Sequence, residues 1–214
     1  MIVHKRKFYS SRIYSNKRVG PHNLDVISVL VGGLLGYCYG EKRNNSTRFV
    51  IHASSTNVEY IYSLHKLLYK NGYCSAKKPG MRKEIGKNNK VYFSIKFRTF
   101  SFTSLNFLHD IFYNESKEKI ISFEIHKLLN RQAFAIWFVA HGGISGSGLM
   151  LSTGSFAYKD VVTLQRAIHQ NFKILPTIQR HKQAHVLYFK KEDKEDVFNI
   201  IKDFLVDSML YKFK

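Results

Sequence analysis

Two apolar runs set the pattern of the chain. The first, Leu30–Glu41, reads LVGGLLGYCYGE, and the second, Phe134–Ser145, reads FAIWFVAHGGIS. Each carries glycines at its end and passes into polar, strand-forming sequence. They read as equivalent core helices, one per half of a pseudo-twofold protein. Asn23 or Asp25 is placed to cap the first, a helix from about Leu24 to Gly36. Gly32, Gly33 and Gly36 lie on closely related faces of it, and each glycine costs a helix roughly 1 kcal/mol relative to alanine. Three together predict close backbone approach to another helix. Ala133, Ala135 and Ala140 play that part in the second run.

The periodicity continues in matching order. Glu41–Ala53 alternates loosely and reads as a strand, with its hairpin partner beginning near Glu41. Ser55–Asn71 has helical spacing, and Asn71-Gly72 closes it. Tyr73–Lys78 and Lys90–Phe100 are predicted strands, joined by the cationic, turn-rich loop PGMRKEIGKNN. In the second of them Val91, Phe93, Ile95 and Phe97 are expected on a core face, and Tyr92, Ser94, Lys96 and Arg98 on a wet one. Leu105–Tyr113 is a short apolar helix, followed by the charged loop ESKEK. The order then repeats. Asn130–His141 is a helix, Ser147–Ser155 a strand, and Lys159–Phe172 a helix with Val162, Leu164, Ile168 and Phe172 inward. Ile174–Arg180 and His185–Lys190 form a hairpin, and Lys194–Leu210 is the last helix. Each half reads helix, two strands, helix, two strands, helix. Tyr37 and His141, which end the core helices, are 104 residues apart, close to half the chain, which fits a duplication. The expected division is a basic arm over 1–23 and halves over 24–125 and 126–214.

Composition changes the picture in one respect. Hydrophobic residues make up 44% of the 214, enough for a core, but the net charge is +19. Solubility needs far less, so a polyanion partner is implied, nucleic acid first and an anionic membrane second. No apolar run is long enough to span a bilayer. Cys38 and Cys74 lack metal-ligand spacing and fit free thiols in a reducing compartment. His181 and His185 in HKQAH are four apart, but on a hairpin that spacing does not build a zinc site. Abundant Lys, Asn, Ile, Phe and Tyr with three prolines is the bias of AT-rich genes, organellar ones included. Residues 1–23 hold Lys5, Arg6, Lys7, Arg12, Lys17 and Arg18 with no acid, interleaved with Phe8, Tyr9 and Tyr14. They read as a nucleic-acid-binding arm, with a solvated or targeting tail as the alternative.

The residues around the two runs carry a resemblance. LVGGLLGYCYGEK is similar to the pattern L-x-G-x-L-L-G-D-x-Y. AIWFVAHGGISGSGLMLSTGSF is similar to A-x-W-F-M-D-D-G-G followed by a polar stretch and L-x-T-x-S-F. With Trp137, Gly142-Gly143 and Ser155-Phe156 at the right spacing and SMLYK at the end, residues from about 24 to 214 resemble the single-chain LAGLIDADG homing endonucleases of organellar group I introns. The resemblance implies an α+β fold of two tandem αββαββα halves, with two antiparallel saddle-shaped sheets and the two core helices at their interface, in a monomer. It implies metal-dependent phosphodiester hydrolysis by an acid at each helix end. Tyr37 and His141 stand at those two positions here, and Ala140 replaces a neighbouring acid. Cys38 is too soft for Mg²⁺, and Glu41 would have to displace a helix end to serve. Lys119 and Lys212 match basic residues that the family often keeps beside the site.

The expectation is therefore a nucleic-acid-binding protein that does not cleave, with no metal, cofactor or membrane. His141 as a general base, and a surviving site-specific DNA endonuclease, are the enzymatic alternatives; an inert or DNA-binding remnant is another. The saddle candidates are Arg43, Arg48, Lys96 and Arg98 in the first half and Lys173, Arg180, Lys182, Lys190 and Lys191 in the second, with Lys77, Lys78, Arg82 and Lys83 reaching beyond it. Aromatic residues among arm cations suit unpaired RNA bases. Maturases within the family make RNA the preferred partner, either a group I intron or the rRNA of a mitochondrial ribosome with its proteins. The mitochondrial matrix is expected ahead of the plastid.

Overall fold

The computed structural model describes residues 13–213, apart from the side chain of Lys87. The first half runs α1 (Leu24–Leu35), β1 (Cys38–Arg43), β2 (Ser46–Ser54), α2 (Val58–Lys70), β3 (Met81–Ile85), β4 (Val91–Arg98) and α3 (Asn106–Phe112). The second runs α4 (Arg131–His141), β5 (Gly142–Ser145), β6 (Gly148–Ser152), α5 (Tyr158–Phe172), β7 (Thr177–His181), β8 (Ala184–Phe189) and α6 (Lys194–Ile201). The strands form two four-stranded antiparallel sheets, ordered β1-β2-β4-β3 and β5-β6-β8-β7. The fold is α+β and duplicated, as expected.

The helices α1 and α4 join the halves. Asn23 caps α1 by accepting from the Asp25 amide (2.7 Å), and Asn130 caps α4 by accepting from the Ala133 amide (2.9 Å). Every residue of α1 from Val26 to Leu35 is buried, as is α4 from Ala133 to Val139. A helix that is apolar all round has to be enclosed. Here each helix covers one side of the other, and the remaining sides pack on β1 and α2 in the first half and on β5, β6 and α6 in the second. A Cβ on Gly32 would overlap the Ala133 carbonyl oxygen and stand 2.7 Å from Ile136 Cβ; one on Gly36 would stand 2.5 Å from Ala140 Cβ. Asn130 Nδ2 also donates to Ser28 Oγ across the seam (2.7 Å). The expected role of Gly33 is corrected: it faces Cys38 of its own half, 3.0 Å from a Cβ built on it, and takes no part in the helix contact.

The sheets depart from expectation at their edges. Tyr73–Lys78 is not a strand; Cys74 makes only an isolated bridge with Thr99. The outer strand is Met81–Ile85, inside the stretch expected to be a loop. An exposed edge strand has no core face, so it shows no apolar alternation to read, and cations on it are usual. Asn88 and Asn89 close its hairpin at φ 60° and 56°. On β4, Ile95 is buried but Val91 and Phe93 are 44% and 50% exposed. Ser94, expected wet, is buried. In the second half Val161, not Val162, is fully buried. The last helix stops at Ile201. Extended Leu205 and Val206 follow, and then a 3₁₀ segment, Asp207–Lys212, which buries Met209 and packs against α2 and β5. The turn Phe123–Lys127, on which the expected boundary between halves falls, packs against α5.

The described part of the arm is held by the first half itself. Arg18 is 5% exposed, donates from Nη1 to the Ser101 carbonyl (2.7 Å), and lies 4.9 Å from the centre of the Phe100 ring. His22 lies between Tyr73 Oη (2.5 Å) and Ser104 Oγ (3.0 Å). Arg18, expected on the nucleic-acid side, is thus a packed structural cation whose flat guanidinium rests on aromatic rings. Lys17 is exposed. Lys5, Arg6, Lys7 and Arg12 lie outside the described residues.

Replacing Gly32 with alanine is expected to destabilise the fold by about 1–3 kcal/mol, because the new methyl meets backbone and a β-branched side chain that cannot yield. Gly143→Ala, with nothing within 4 Å of its Cβ, is expected to stay within about 0.5 kcal/mol of the parent in urea denaturation.

Candidate functional site

The C-terminal ends of α1 and α4 meet where Gly36 touches Ala140 and His141. Around this meeting the chain gathers Tyr37, Cys38, His141, Lys119 and Lys212. Tyr37 turns its hydroxyl inward; the oxygen is buried, and no hydrogen-bond partner for it stands among the described residues. Burial, and then the proximity of Tyr60, push its pKa well above the ordinary phenol value. It remains a neutral donor at any physiological pH. The buried Cys38 thiol is pushed up to about 12, chiefly by desolvation.

His141 titrates low. Desolvation is the main cause; a hydrogen bond to the Gly36 backbone opposes it, and the charges of Lys119 and Lys212 add to the lowering. Lys119 lies 5.5 Å from the centre of the Phe156 ring, and burial lowers its pKa while its proximity to Cys38 opposes that. Lys212, on the C-terminal 3₁₀ segment, donates from Nζ to the Gly142 carbonyl (2.8 Å), and burial lowers its pKa too. The arrangement is two ammonium groups around an imidazole, with the Tyr37 phenol turned away into the first half, and no carboxylate of the described residues acts on the imidazole. Glu41 is occupied elsewhere: Arg48 holds its Oε2 from Nε (2.7 Å) and Nη2 (2.5 Å) on the face of the first sheet.

The open faces of the two sheets differ. On the first, register places Tyr39, Glu41 and Arg43 of β1 beside Arg48, Val50 and His52 of β2, then Lys96 and Arg98 of β4 and Arg82 and Glu84 of β3. Lys96 lies over the Tyr39 ring (5.6 Å). Glu84 accepts from Ser94 Oγ (2.5 Å) and contacts His52 Nε2 (3.1 Å); the Ser94 bond is the leading cause of its lowered pKa. Arg43, Arg48, Lys96 and Arg98 therefore share one face, as expected, and Arg82 joins them from a strand rather than a loop. Lys83 is on the opposite face, and Lys78 lies over the Tyr62 ring of α2 (4.1 Å). Lys77 is exposed just ahead of β3.

On the second sheet the same face carries Ser145, Met150, Ser152, Tyr188, Thr177, Gln179 and His181. It is close to neutral. Arg180 alternates to the helix side, paired with His185, which packs on Tyr158 of α5. Lys173 caps α5 and bonds the Gln170 carbonyl (3.2 Å); Lys182 sits in the β7–β8 turn, and Lys190 and Lys191 follow β8. The basic second face expected from the sequence is thus a set of rim positions. Tyr39 and His52 were missed on the first face; the alternation through Arg48 was the signal that points to them.

Residues 27–196 match the LAGLIDADG DNA endonuclease family. The chain belongs to that family. The cytochrome b mRNA maturase bI2 of Saccharomyces cerevisiae is 30% identical over 225 residues, covering 98% of this chain and 53% of the yeast protein. The chain thus spans about half the length of that relative. The intron-encoded endonuclease ai4 of Dictyostelium discoideum is 30% identical over 156 residues, 70% of this chain and 97% of that protein. Among solved structures, the homing endonuclease I-WcaI bound to its DNA recognition sequence superposes with TM-score 0.82 at 20% identity, over 94% of this chain and 90% of that one, which establishes the fold.

A LAGLIDADG nuclease implies a divalent metal at the helix ends. A hard cation such as Mg²⁺ takes oxygen ligands, mainly carboxylates. The groups that meet in this member are the His141 imidazole and the cations Lys119 and Lys212, while the Tyr37 phenol is buried beside Tyr60 and held protonated. Among the described residues no three His, Cys, Asp or Glu side chains gather to hold a metal. The donor set does not fit the metal. It fits an anion.

Because Lys212 opposes protonation of His141, Lys212→Met is expected to raise the His141 pKa towards its ordinary value, read by NMR titration of the imidazole. The parent His141 binds its proton less readily folded than unfolded, so its contribution to stability is present above the ordinary histidine pKa of about 6.5 and is lost as pH falls through the lower folded value.

Proposed function

We propose that this LAGLIDADG protein binds structured RNA without cleaving nucleic acid, as a maturase for a group I intron. The observation that carries this is the replacement of both helix-end acids by Tyr37 and His141 while Lys119, Lys212 and the basic first sheet persist. Phosphate binding needs the cations; hydrolysis by this family's route needs the carboxylates. The yeast relative is by name a cytochrome b mRNA maturase, which favours intron RNA over the rRNA and ribosomal proteins of the other expectation, and favours the mitochondrial matrix as the place of action. A DNA-binding role without cleavage is the second reading, supported by the fold shared with a DNA-bound homing endonuclease.

Crosslinking and sequencing of nucleic acid from the native organelle is expected to recover an intron of a mitochondrial precursor RNA. Recovery of rRNA would move the protein to the ribosome, and recovery of DNA alone would overturn the RNA reading. In vitro, Lys96→Ala with Arg98→Ala is expected to weaken binding and to reduce the slope of log K against log salt by about 0.7–0.9 for each phosphate that the variant no longer neutralises. Lys182→Ala, on the rim of the neutral sheet, is expected to change that slope less.

A further inference from the structure

The β3–β4 hairpin exposes both of its faces. One belongs to the basic sheet face described above. On the other, register sets Ile85 opposite Val91, Lys83 opposite Phe93, and Met81 opposite Ile95. Ile95 is buried, but Ile85, Met81, Phe93 and Val91 are 70%, 62%, 50% and 44% exposed. These pairs are neighbours on one face, so the exposed apolar surface is continuous, with an aromatic ring in it and a lysine across from that ring. Strand β3 is also the edge of its sheet, paired only to β4. Contiguous apolar surface of this kind on a folded protein marks a place of contact.

The charge around it selects the occupant. Glu84 is the only acid between Lys77 and Arg98, against eight lysines and arginines, and Glu84 is engaged by Ser94 and His52 on the opposite face. A second copy of this strongly basic chain would be repelled. A ligand that is polyanionic yet presents flat apolar faces is not. Single-stranded nucleic acid has that chemistry: bases stack on aromatic side chains, and phosphates meet the lysines.

We propose that the outward face of the β3–β4 hairpin, Met81, Ile85, Val91 and Phe93 with Lys83, is a stacking platform for unpaired RNA bases that leave a duplex lying on the opposite face of the same hairpin. This rests on the RNA-binding reading and adds a second site to it. The hairpin then grips a junction between paired and unpaired RNA, with Arg82, Lys96 and Arg98 on the paired side.

The test compares fluorescence anisotropy titrations with two RNAs, a blunt stem-loop and the same stem-loop carrying a single-stranded extension. The parent protein is expected to bind the extended RNA on the order of tenfold more tightly. Phe93→Ser should abolish that preference, leave affinity for the blunt RNA unchanged, and leave the circular dichroism melt unchanged, since the ring is half exposed; Phe93→Trp should retain the preference. Lys96→Ala with Arg98→Ala should weaken both RNAs equally. Equal affinity of the parent for the two RNAs, or a Phe93→Ser effect on both alike, would overturn the platform while leaving RNA binding in place. Binding of neither RNA would overturn both. Self-association in sedimentation that Phe93→Ser abolishes would assign the face to a second copy and overturn the platform.

Discussion

The contact between α1 and α4 is the constraint on which everything else depends. Two helices buried along most of their length bring their backbones together through Gly32 and Gly36 against Ala133, Ile136 and Ala140. Glycines weaken an isolated helix, so these positions are explained by the partner. The contact fixes the two sheets relative to each other, and it forces the two helix ends into one place. Whatever stands at those ends has to share a partly dehydrated space. In this chain His141 stands there with Lys119, from the loop that precedes the second half, and Lys212, from the C-terminal 3₁₀ segment, while the Tyr37 hydroxyl is buried beside Tyr60.

Charge is distributed unevenly over this symmetric frame. The first sheet offers Arg43, Arg48, Arg82, Lys96 and Arg98 on one face, while the matching face of the second offers Thr177, Gln179, Ser152 and Tyr188. Duplication of the fold has not preserved duplication of its electrostatics. A duplex lying across both sheets would be drawn mainly by the first, and the second would meet it with hydrogen-bonding and apolar groups. The docked segment carrying Arg18 and His22 leans on the same half and adds exposed Lys17 near the β1–β2 turn.

The core was legible in the sequence wherever burial imposes a period. The helices α1, α2, α4 and α5 follow from apolar spacing, and the start of α1 from its capping Asn23. What hid was edge structure. Strand β3 has five exposed residues and no core face, so MRKEI looked like a loop. The end of α6 was missed because Phe204, Leu205 and Val206 keep the chain apolar after the helix has stopped, packing against the core in other conformations. At the site, residue types showed the loss of acids directly. The burial of Arg18 and the inward turn of the Tyr37 hydroxyl are products of packing between distant segments, which one-dimensional spacing does not encode. Arg180 was misplaced by one step of strand register, enough to move a side chain to the other face.

The central claim is that the family's frame is retained here with its hydrolytic chemistry removed, leaving a binder of phosphate. It is tested most directly by incubating the purified protein, in Mg²⁺ and in Mn²⁺, with supercoiled DNA spanning an intron insertion site. The parent and His141→Ala are expected to leave the DNA supercoiled alike. Metal-dependent nicking by the parent that His141→Ala abolishes would contradict the claim, because it would place a working catalytic group at a helix end that carries no carboxylate.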